Sequence, residues 1–284
     1  MPDSANTPAP VLRCGRFTFD LIRPRVMGIL NVTPNSFSDG GRYFNLPRAL
    51  EHARQMIRDG ADIIDIGGES TRPGAEPVHA DQELARVLPL VQALAGSNIA
   101  VSVDTRKPEV MRAAIDAGAA MINDVNALRA PGALEVVASQ DVGVCIMHMQ
   151  GQPQTMQQAP CYSNVVSEVR DFLVERAEAC VNAGVATEAI VLDPGYGFGK
   201  LLEHNLSLIR ALPGFAATGY PIMMGVSRKF SLGEITGREV DQRLAASLAA
   251  GLASVMRGAR LLRVHDVRET VDALKVWTAV EQAA

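Results

Sequence analysis

A short phrase recurs along the chain: a glycine, a small residue, an apolar run, and then an acid or an amide. Each glycine follows a segment of helical periodicity, where a residue in the left-handed region commonly ends a helix. Each phrase therefore predicts a helix end, a buried strand and a polar strand tip. The phrase occurs as GADIIDIGGES from Gly60, GAAMINDVN from Gly118, GVATEAIVLDPG from Gly184 and GARLLRVHD from Gly258.

Further short apolar runs lie between these phrases and bring the predicted strands to eight. They are residues 25–30, 99–104, 142–149 and 220–226. Amphipathic helical segments fill the gaps, so we expect a parallel sheet covered by helices, which is an α/β fold. Eight such units favour a (β/α)8 TIM barrel over an open doubly wound sheet, although periodicity alone leaves the open sheet as an alternative.

The ends of the chain are predicted to lie outside this pattern. The segment VLRCGRFTFDL, residues 11–21, precedes the first barrel strand and predicts a short N-terminal β-hairpin. Residues 1–10 have no periodic pattern and predict a disordered tail. No linker or change of composition divides the remainder, so residues 11–284 are expected to form a single domain.

Charge and cysteine usage exclude several classes of function. The formal net charge is −4 with no basic block, which argues against nucleic acid and against a membrane surface as partners. The 4 cysteines form no C-x-x-C pair, so neither a zinc site nor a disulfide framework is indicated. Reduced thiols, together with no apolar run long enough to cross a bilayer, predict a cytoplasmic protein.

The predicted strand ends are unusually polar. Any one polar end is explained by burial stopping there, but many ionisable groups around one barrel mouth are costly unless they bind something. In a (β/α)8 barrel the loops after the strands form the active face, so these residues predict the site. They are Asn31, Asp65, residues 69–72, residues 104–106, Asn123, Asp124, His148, Asp193, residues 227–229, Arg263, His265 and Asp266.

The stretch DPGYGFGKL, residues 193–201, raises the question of a nucleotide phosphate loop. Such a loop needs G-x-x-x-x-G-K followed by a hydroxyl residue. Here the spacing from Gly195 to Gly199 is one residue too short, and Leu201 replaces the hydroxyl. We therefore expect Lys200 to be a surface or loop-stabilising residue rather than a phosphate ligand.

Eight motifs, in order along the chain, together resemble the dihydropteroate synthase family. The resemblance implies a (β/α)8 barrel that acts as a homodimer on small-molecule substrates in folate biosynthesis. It also implies the reaction, which joins 7,8-dihydropterin-6-ylmethyl diphosphate to 4-aminobenzoate and releases diphosphate and 7,8-dihydropteroate. The motifs are MGILNVTPNSFSDGG (27–41), GGESTRPGA (67–75), SVDT (102–105), IND (122–124), MHMQG (147–151), LDPGYGFGK (192–200), SRK (227–229) and RVHDV (263–267).

The resemblance assigns residues to three parts of the site. For the pterin they are Asp104, Asn123, Met147, Asp193, Lys229 and Arg263. For the diphosphate they are Asn31, Arg263 and His265, with Asn31 also the protein ligand of Mg²⁺. For the aminobenzoate they are Phe37, Thr71, Arg72, Pro73, Phe198 and Ser231.

These residue types suit the chemistry. A pterin presents an edge of hydrogen-bond donors and acceptors, which carboxylates and amides can pair, and an unpaired buried group costs about 1–3 kcal/mol. Diphosphate is a good leaving group once neutralised, so an SN1-like departure needs electrostatic stabilisation and alignment rather than a nucleophilic residue. The long polar loops after the first two barrel strands are expected to cover the aminobenzoate.

Two positions differ from the family pattern. Asn35 stands where the first-loop motif has an aspartate, and we expect slower chemistry unless Asp39 supplies the charge. Phe230 follows SRK where many relatives have serine, so the aminobenzoate carboxylate is expected to use backbone N–H groups with Ser231 as helper.

Two other functions remain open at this point. One is a pterin-binding barrel of the folate methyltransferase kind, which would share the pterin-edge residues but has no need of Arg263, His265 or the ESTRPG loop. The other is a non-catalytic paralogue, for which Asn35 is the one positive indication.

Overall fold

A closed parallel barrel forms the body of the protein. The computed structural model describes residues 11–33, 45–71 and 74–283. The strands in these ranges are β1 (Val11–Cys14), β2 (Phe17–Asp20), β3 (Arg25–Asn31), β4 (Ile63–Gly67), β5 (Ala100–Asp104), β6 (Met121–Asp124), β7 (Gly143–Met147), β8 (Ile190–Asp193), β9 (Ile222–Met224) and β10 (Ala259–Val264). The helices are α1 (Leu46–Arg58), α2 (Ala80–Ala95), α3 (Pro108–Asp116), α4 (Ala133–Ala138), α5 (Val165–Asn182), α6 (Leu202–Ala216), α7 (Phe230–Thr236), α8 (Leu244–Val255) and α9 (Val267–Glu281).

The eight barrel strands, β3 to β10, pair in chain order, and β10 closes the barrel against β3. All of these pairs are parallel, and helices connect successive strands. Strands β1 and β2 form a separate antiparallel hairpin. The predicted (β/α)8 barrel with an N-terminal hairpin is thus confirmed, and the open doubly wound sheet is wrong. The predicted tail, residues 1–10, lies outside the described residues, and the single domain over residues 11–284 stays a prediction.

The recurring glycines lie where helices end. Gly60, Gly118, Gly184 and Gly258 follow α1, α3, α5 and α8, and their φ angles are 100°, 105°, 107° and 107°. This left-handed backbone favours glycine because it has no Cβ to clash. The repeated phrase therefore encodes the turn from each of these helices into the next strand.

Two strands are shorter than their apolar runs. In the run 220–226 only Ile222–Met224 forms a strand, because Pro221 before it has no N–H to donate to a neighbouring strand. The Pro221 carbonyl still accepts a hydrogen bond from the Leu192 N–H at 2.9 Å. The run 142–149 ends as a strand at Met147. Its last residues instead contribute to the mouth of the barrel.

The N-terminal hairpin closes the bottom of the barrel. Leu12 and Cys14 are fully buried and pack with side chains that fill the barrel interior, including Met27 and Ile63. The contact is close at Gly143, where a Cβ would lie 2.5 Å from the Cys14 sulfur. The hairpin therefore acts as an apolar plug at the end opposite the strand tips.

None of the helices in the described ranges is both long enough and apolar enough to span a membrane. The cytoplasmic location stays a prediction.

The plug predicts a stability effect. Replacement of Leu12, which is 0% exposed, by alanine should lower the free energy of unfolding by about 2–5 kcal/mol, because a cavity opens under the barrel. Ile22→Ala is the matched control: Ile22 is 68% exposed just after the hairpin, and its loss should cost less than about 0.5 kcal/mol. Denaturant unfolding measures both values. Equal, small losses would contradict a packed plug.

Candidate active site

Strand alternation places the polar side chains inside the barrel mouth. Ile63, Met121, Val191 and Leu261 fill the lower interior, and residues two positions further along a strand face the same way. The mouth therefore contains Asp65, Asn123, Asp193 and Arg263, with Asp104 on the same face of β5. In the register of the sheet, Asn31, Gly67, Asp104 and Asn123 lie side by side.

Arg263 connects two carboxylates at the centre of this mouth. Its Nε donates to Asp65 Oδ2 at 2.6 Å, and its Nη2 donates to Asp104 Oδ2 at 2.7 Å. Burial works against the charged guanidinium, but Asp65 and Asp104 outweigh it and raise the pKa of Arg263. The arginine is therefore charged, and it neutralises acids that the closed barrel removes from water.

Asn123 is attached to the same cluster. Its Nδ2 donates to Asp65 Oδ2 at 3.0 Å, and the whole side chain is buried. Asp65, on β4, thus accepts hydrogen bonds from Asn123 on β6 and from Arg263 on β10. One carboxylate orients two of the residues that the sequence predicted for the pterin.

Asp193 is oriented by its own loop. Its Oδ1 accepts the Gly195 N–H at 2.7 Å. Gly195 has a φ of 70°, and a Cβ there would lie 1.8 Å from the His148 carbonyl oxygen, so only glycine fits this turn. The glycine-rich stretch therefore holds the Asp193 carboxylate and does not cradle a phosphate in the manner of a nucleotide loop.

The pKa values of Asp104 and Asp193, the two carboxylates predicted for the pterin, are raised. Burial raises the pKa of Asp104 to about 7, although the Arg263 guanidinium partly offsets this effect. Burial also raises the pKa of Asp193, against the hydrogen bond from Gly195 and the nearby lysines and arginine. Displaced pKa values at a concave site are typical of groups held ready for a ligand.

Lys200 is buried beneath the same loop. Its Nζ lies 3.0 Å from His148 Nδ1 and donates to the Phe198 carbonyl at 3.0 Å. Burial lowers the pKa of Lys200 to about 7, and burial together with the Lys200 charge lowers the pKa of His148 to about 3. The prediction that Lys200 lies at the surface is wrong, because its side chain is buried. Its hydrogen bonds to the His148 and Phe198 carbonyls support the alternative, that Lys200 stabilises the loop.

An apolar wall lies beside these groups. Phe198 packs on a small cluster that includes Met147, Met149 and Met156. The Lys229 Nζ lies 3.9 Å from the centre of the Phe198 ring, a cation–π contact. Three residues predicted for the substrates, Met147, Phe198 and Lys229, are thus brought together.

A cationic corner surrounds His265. Its Nδ1 lies 3.1 Å from Ser227 Oγ, and Arg228 pairs with Asp266 through Nε at 3.0 Å. Burial lowers the pKa of His265 to about 4, helped by the positive charges of Arg228 and Arg263. The positive charges near His265 favour an anionic ligand, to which the neutral imidazole can donate a hydrogen bond.

The remaining predicted residues divide into two groups. Ser231 is buried, and its Oγ donates to the Tyr196 hydroxyl at 2.7 Å. Thr71 is half-buried at the edge of the described second loop. Phe37, Arg72 and Pro73 lie outside the described residues, as do Asn35 and Asp39.

Sequence reasoning missed the supports of the second loop. Arg86 on α2 donates to the Gly68 carbonyl at 2.8 Å. Glu69 pairs with Arg106 at 2.9 Å and with Lys107, and Lys107 also pairs with the fully buried Glu83 at 2.5 Å. Glu69 and Arg106 are among the polar residues that the sequence predicts at the strand ends, but their pairing depends on the fold.

Comparison with known proteins identifies the family. The sequence profile described as pterin binding enzyme matches residues 27–265. Dihydropteroate synthase of Neisseria meningitidis serogroup B is 51% identical, with 95% of this chain and 97% of that protein covered.

Solved structures agree. Xanthomonas albilineans dihydropteroate synthase with 4-aminobenzoic acid superposes with a TM-score of 0.91 at 52% identity, covering 97% of this chain and 100% of that one. Burkholderia cenocepacia dihydropteroate synthase complexed with 7,8-dihydropteroate gives a TM-score of 0.88 at 52% identity, covering 97% and 98%. With a matching profile, half-identical relatives and the same barrel, the chain belongs to the dihydropteroate synthase family of pterin-binding enzymes.

Proposed function

We propose that the mouth of this barrel binds a pterin edge through Asp104, Asn123 and Asp193 and there carries out the dihydropteroate synthase reaction. In that reaction 7,8-dihydropterin-6-ylmethyl diphosphate and 4-aminobenzoate give 7,8-dihydropteroate and diphosphate. Relatives that bind 4-aminobenzoic acid and 7,8-dihydropteroate support this assignment. Neither a methyl transfer nor a purely structural role accounts for a cationic corner next to the pterin residues.

One observation carries the proposal. Among the described residues, each of the three side chains makes one hydrogen bond: Asp104 Oδ2 accepts from Arg263, Asn123 Nδ2 donates to Asp65, and Asp193 Oδ1 accepts from the Gly195 N–H. Each therefore keeps another oxygen for a ligand. Three oriented acceptors suit the amino group and ring N–H groups of a pterin, which are donors.

Donors and flat surfaces complete the pterin pocket. Lys229 is suited to donate to the pterin carbonyl or a ring nitrogen. Met147 and the planar Arg263 guanidinium are suited to cover the two faces of the ring. Arg263 thus serves both the acids beneath it and the ligand above it.

The diphosphate is assigned to the cationic corner. Arg263 and His265 bind it there: the Arg263 charge and the N–H donors of both side chains stabilise the leaving group as negative charge develops. The bond from the methylene carbon to the diphosphate oxygen breaks, and its electron pair leaves with the diphosphate. The arylamine nitrogen then forms the new C–N bond and releases a proton to water. No protein nucleophile is needed.

Magnesium is proposed at Asn31. The strand register places this amide beside Gly67, where a Cβ would lie 3.3 Å from Asn31 Oδ1, so glycine leaves the oxygen accessible. Among the described residues, no group of three or more His, Cys, Asp or Glu side chains could hold a metal. A single amide oxygen fits Mg²⁺ because this ion keeps several waters and shares substrate phosphates. When bound, it would neutralise diphosphate charge.

The aminobenzoate is placed on the outer side of the pterin. Phe198 is suited to form one wall, and the half-buried Thr71 of the second loop is proposed to line the pocket as well. The Ser231 hydroxyl donates to the Tyr196 hydroxyl, so Ser231, at the start of α7, is proposed to support this pocket through Tyr196. Roles for Phe37, Arg72 and Pro73 stay predictions.

A homodimer is also proposed. Helices α8 and α9 pack side by side on the outside of the barrel and expose large apolar side chains. Met256, at the end of α8, and Val276 and Val280, on α9, are each 66% exposed. Grouped exposed apolar side chains are typical of a protein interface, and a second copy of the chain is the expected partner.

The reaction itself is tested by diphosphate release. Release should require both the pterin diphosphate and 4-aminobenzoate, and Asp104→Asn and Asp193→Asn should each slow it about tenfold or more at limiting pterin concentration. Each change puts an N–H where a pterin donor needs an acceptor, a loss of about 1.5–3 kcal/mol in binding.

Calorimetry with a pterin lacking diphosphate measures that loss directly. Asp124→Asn is the matched control, since Asp124 is equally buried but accepts from the backbone N–H groups of Asn126 and Leu128. Release with one substrate alone would refute the reaction. Undiminished pterin affinity in both pocket variants would move the pocket elsewhere.

His265→Ala should weaken binding of the diphosphorylated pterin much more than binding of the same pterin without diphosphate, because only the first ligand reaches the cationic corner. His204→Ala controls for loss of a histidine, since His204 instead accepts from the Leu201 N–H at the start of α6. Titration of both ligands against both variants measures the effect. Equal losses for the two ligands would exclude a diphosphate role for His265.

Charged side chains placed on the exposed apolar face of α9 test the proposed dimer. Val276→Glu with Val280→Glu should convert a dimer into a monomer, because burying two carboxylates in an interface is costly. Ile22→Glu, at a similarly exposed isoleucine after the hairpin, should leave the dimer intact. Sedimentation velocity distinguishes the species. A monomeric parent protein, or a double variant that stays dimeric, would contradict this interface.

A further inference from the structure

Asp65 has a location that stability alone does not explain. Its side chain is 0% exposed inside the barrel. Within the described ranges of the chain, its Oδ1 has no hydrogen-bond partner. A buried carboxylate oxygen without a partner is unfavourable, and apolar residues in place of the whole Asp65–Arg263–Asn123 cluster would avoid that cost. This argues that the carboxylate is retained for function.

The chemistry of the Asp65–Asn123 pair fixes which way the amide faces. A carboxylate only accepts hydrogen bonds, whereas an amide has one donor end and one acceptor end. Asn123 must therefore present Nδ2 to Asp65, as it does at 3.0 Å. In the part of the chain that the structure describes, this is the one hydrogen bond of the Asn123 side chain, so Oδ1 is the end left for a ligand.

We infer that Asp65 is a positioning residue that sets the hydrogen-bond polarity of the pterin pocket by holding Asn123 with its oxygen toward the ligand. The inference rests on the proposed function, because it gives Asn123 the task of accepting from the pterin. With Asp65 in place, Asn123 joins Asp104 and Asp193 as a third acceptor. Without it, the amide can rotate and offer N–H groups to a ligand edge made of donors.

Asp65 also accepts from Arg263 Nε at 2.6 Å, so its loss could act through the arginine instead. A swapped pair separates the two routes. Asp65→Asn combined with Asn123→Asp keeps the net charge and allows a hydrogen bond between the two positions, and it presents a carboxylate oxygen to the ligand. It does not restore the carboxylate at position 65 that holds Arg263.

The experiment is calorimetry with a reduced pterin lacking diphosphate, on variants checked by thermal unfolding. Asp65→Asn should weaken pterin binding about tenfold or more, and the swapped pair should return to within about threefold of the parent protein. Asp62→Asn is the control: Asp62 is a similarly enclosed carboxylate that pairs with Arg25 at 3.0 Å, but at the opposite end of the barrel. It should not change pterin affinity.

Unchanged affinity in Asp65→Asn would overturn the inference, and so would a swapped pair as weak as the single variant, which would assign the effect to Arg263. If Asp65→Asn does not fold, the swapped pair decides alone: near-parental affinity supports the inference, and a loss above tenfold overturns it. Asn123→Ala tests the proposed pocket separately. If it binds pterin as well as the parent, the proposed function of Asn123 fails whatever Asp65 does.

Discussion

The ion pair network of Arg263 is the interaction on which the rest of the site depends. A closed eight-stranded barrel removes Asp65 and Asp104 from water, and a buried acid without a counterion is strongly unfavourable. The guanidinium meets one oxygen of each, at 2.6 and 2.7 Å. This permits acids at the mouth of an otherwise apolar interior, and it orients them before any substrate arrives. Such preorganisation is what an enzyme that aligns two substrates requires.

The contacts of Arg263 with Asp65 and Asp104 also bear on the reaction. The chain is a dihydropteroate synthase family enzyme, whose reaction needs a leaving group stabilised and a weak amine aligned rather than a covalent intermediate. Arg263 lies between the acids below and the cationic corner of His265, so the pterin and diphosphate parts of one substrate would meet at this side chain. Lys200, bonded to the loop carbonyls, supports the turn that carries Asp193.

Much of the fold, and the location of the site at the strand ends, could be predicted from the sequence. Helix ends in left-handed glycines and buried apolar runs are local features, so the order of strands and helices and the hairpin followed from the pattern, which favoured a barrel, whereas its closure by β10 against β3 is a long-range pairing. The polar strand tips also indicated where the site lies. Hydrogen bonds between strands are different, because they depend on register and side-chain direction. The roles of Asp65, the burial of Lys200 and the engagement of Ser231 with Tyr196 had no local signal.

The most direct measurement is a crystal structure of this protein with a bound dihydropterin. We expect the flat ring over the ends of β5, β6 and β8, with its donor edge within hydrogen-bonding distance of Asp104, of Asn123 Oδ1 and of Asp193. Lys229 should face the pterin carbonyl or a ring nitrogen, and Arg263 should retain its contact with Asp65. A pterin bound outside this mouth, or one that meets Asn123 through Nδ2, would contradict the account.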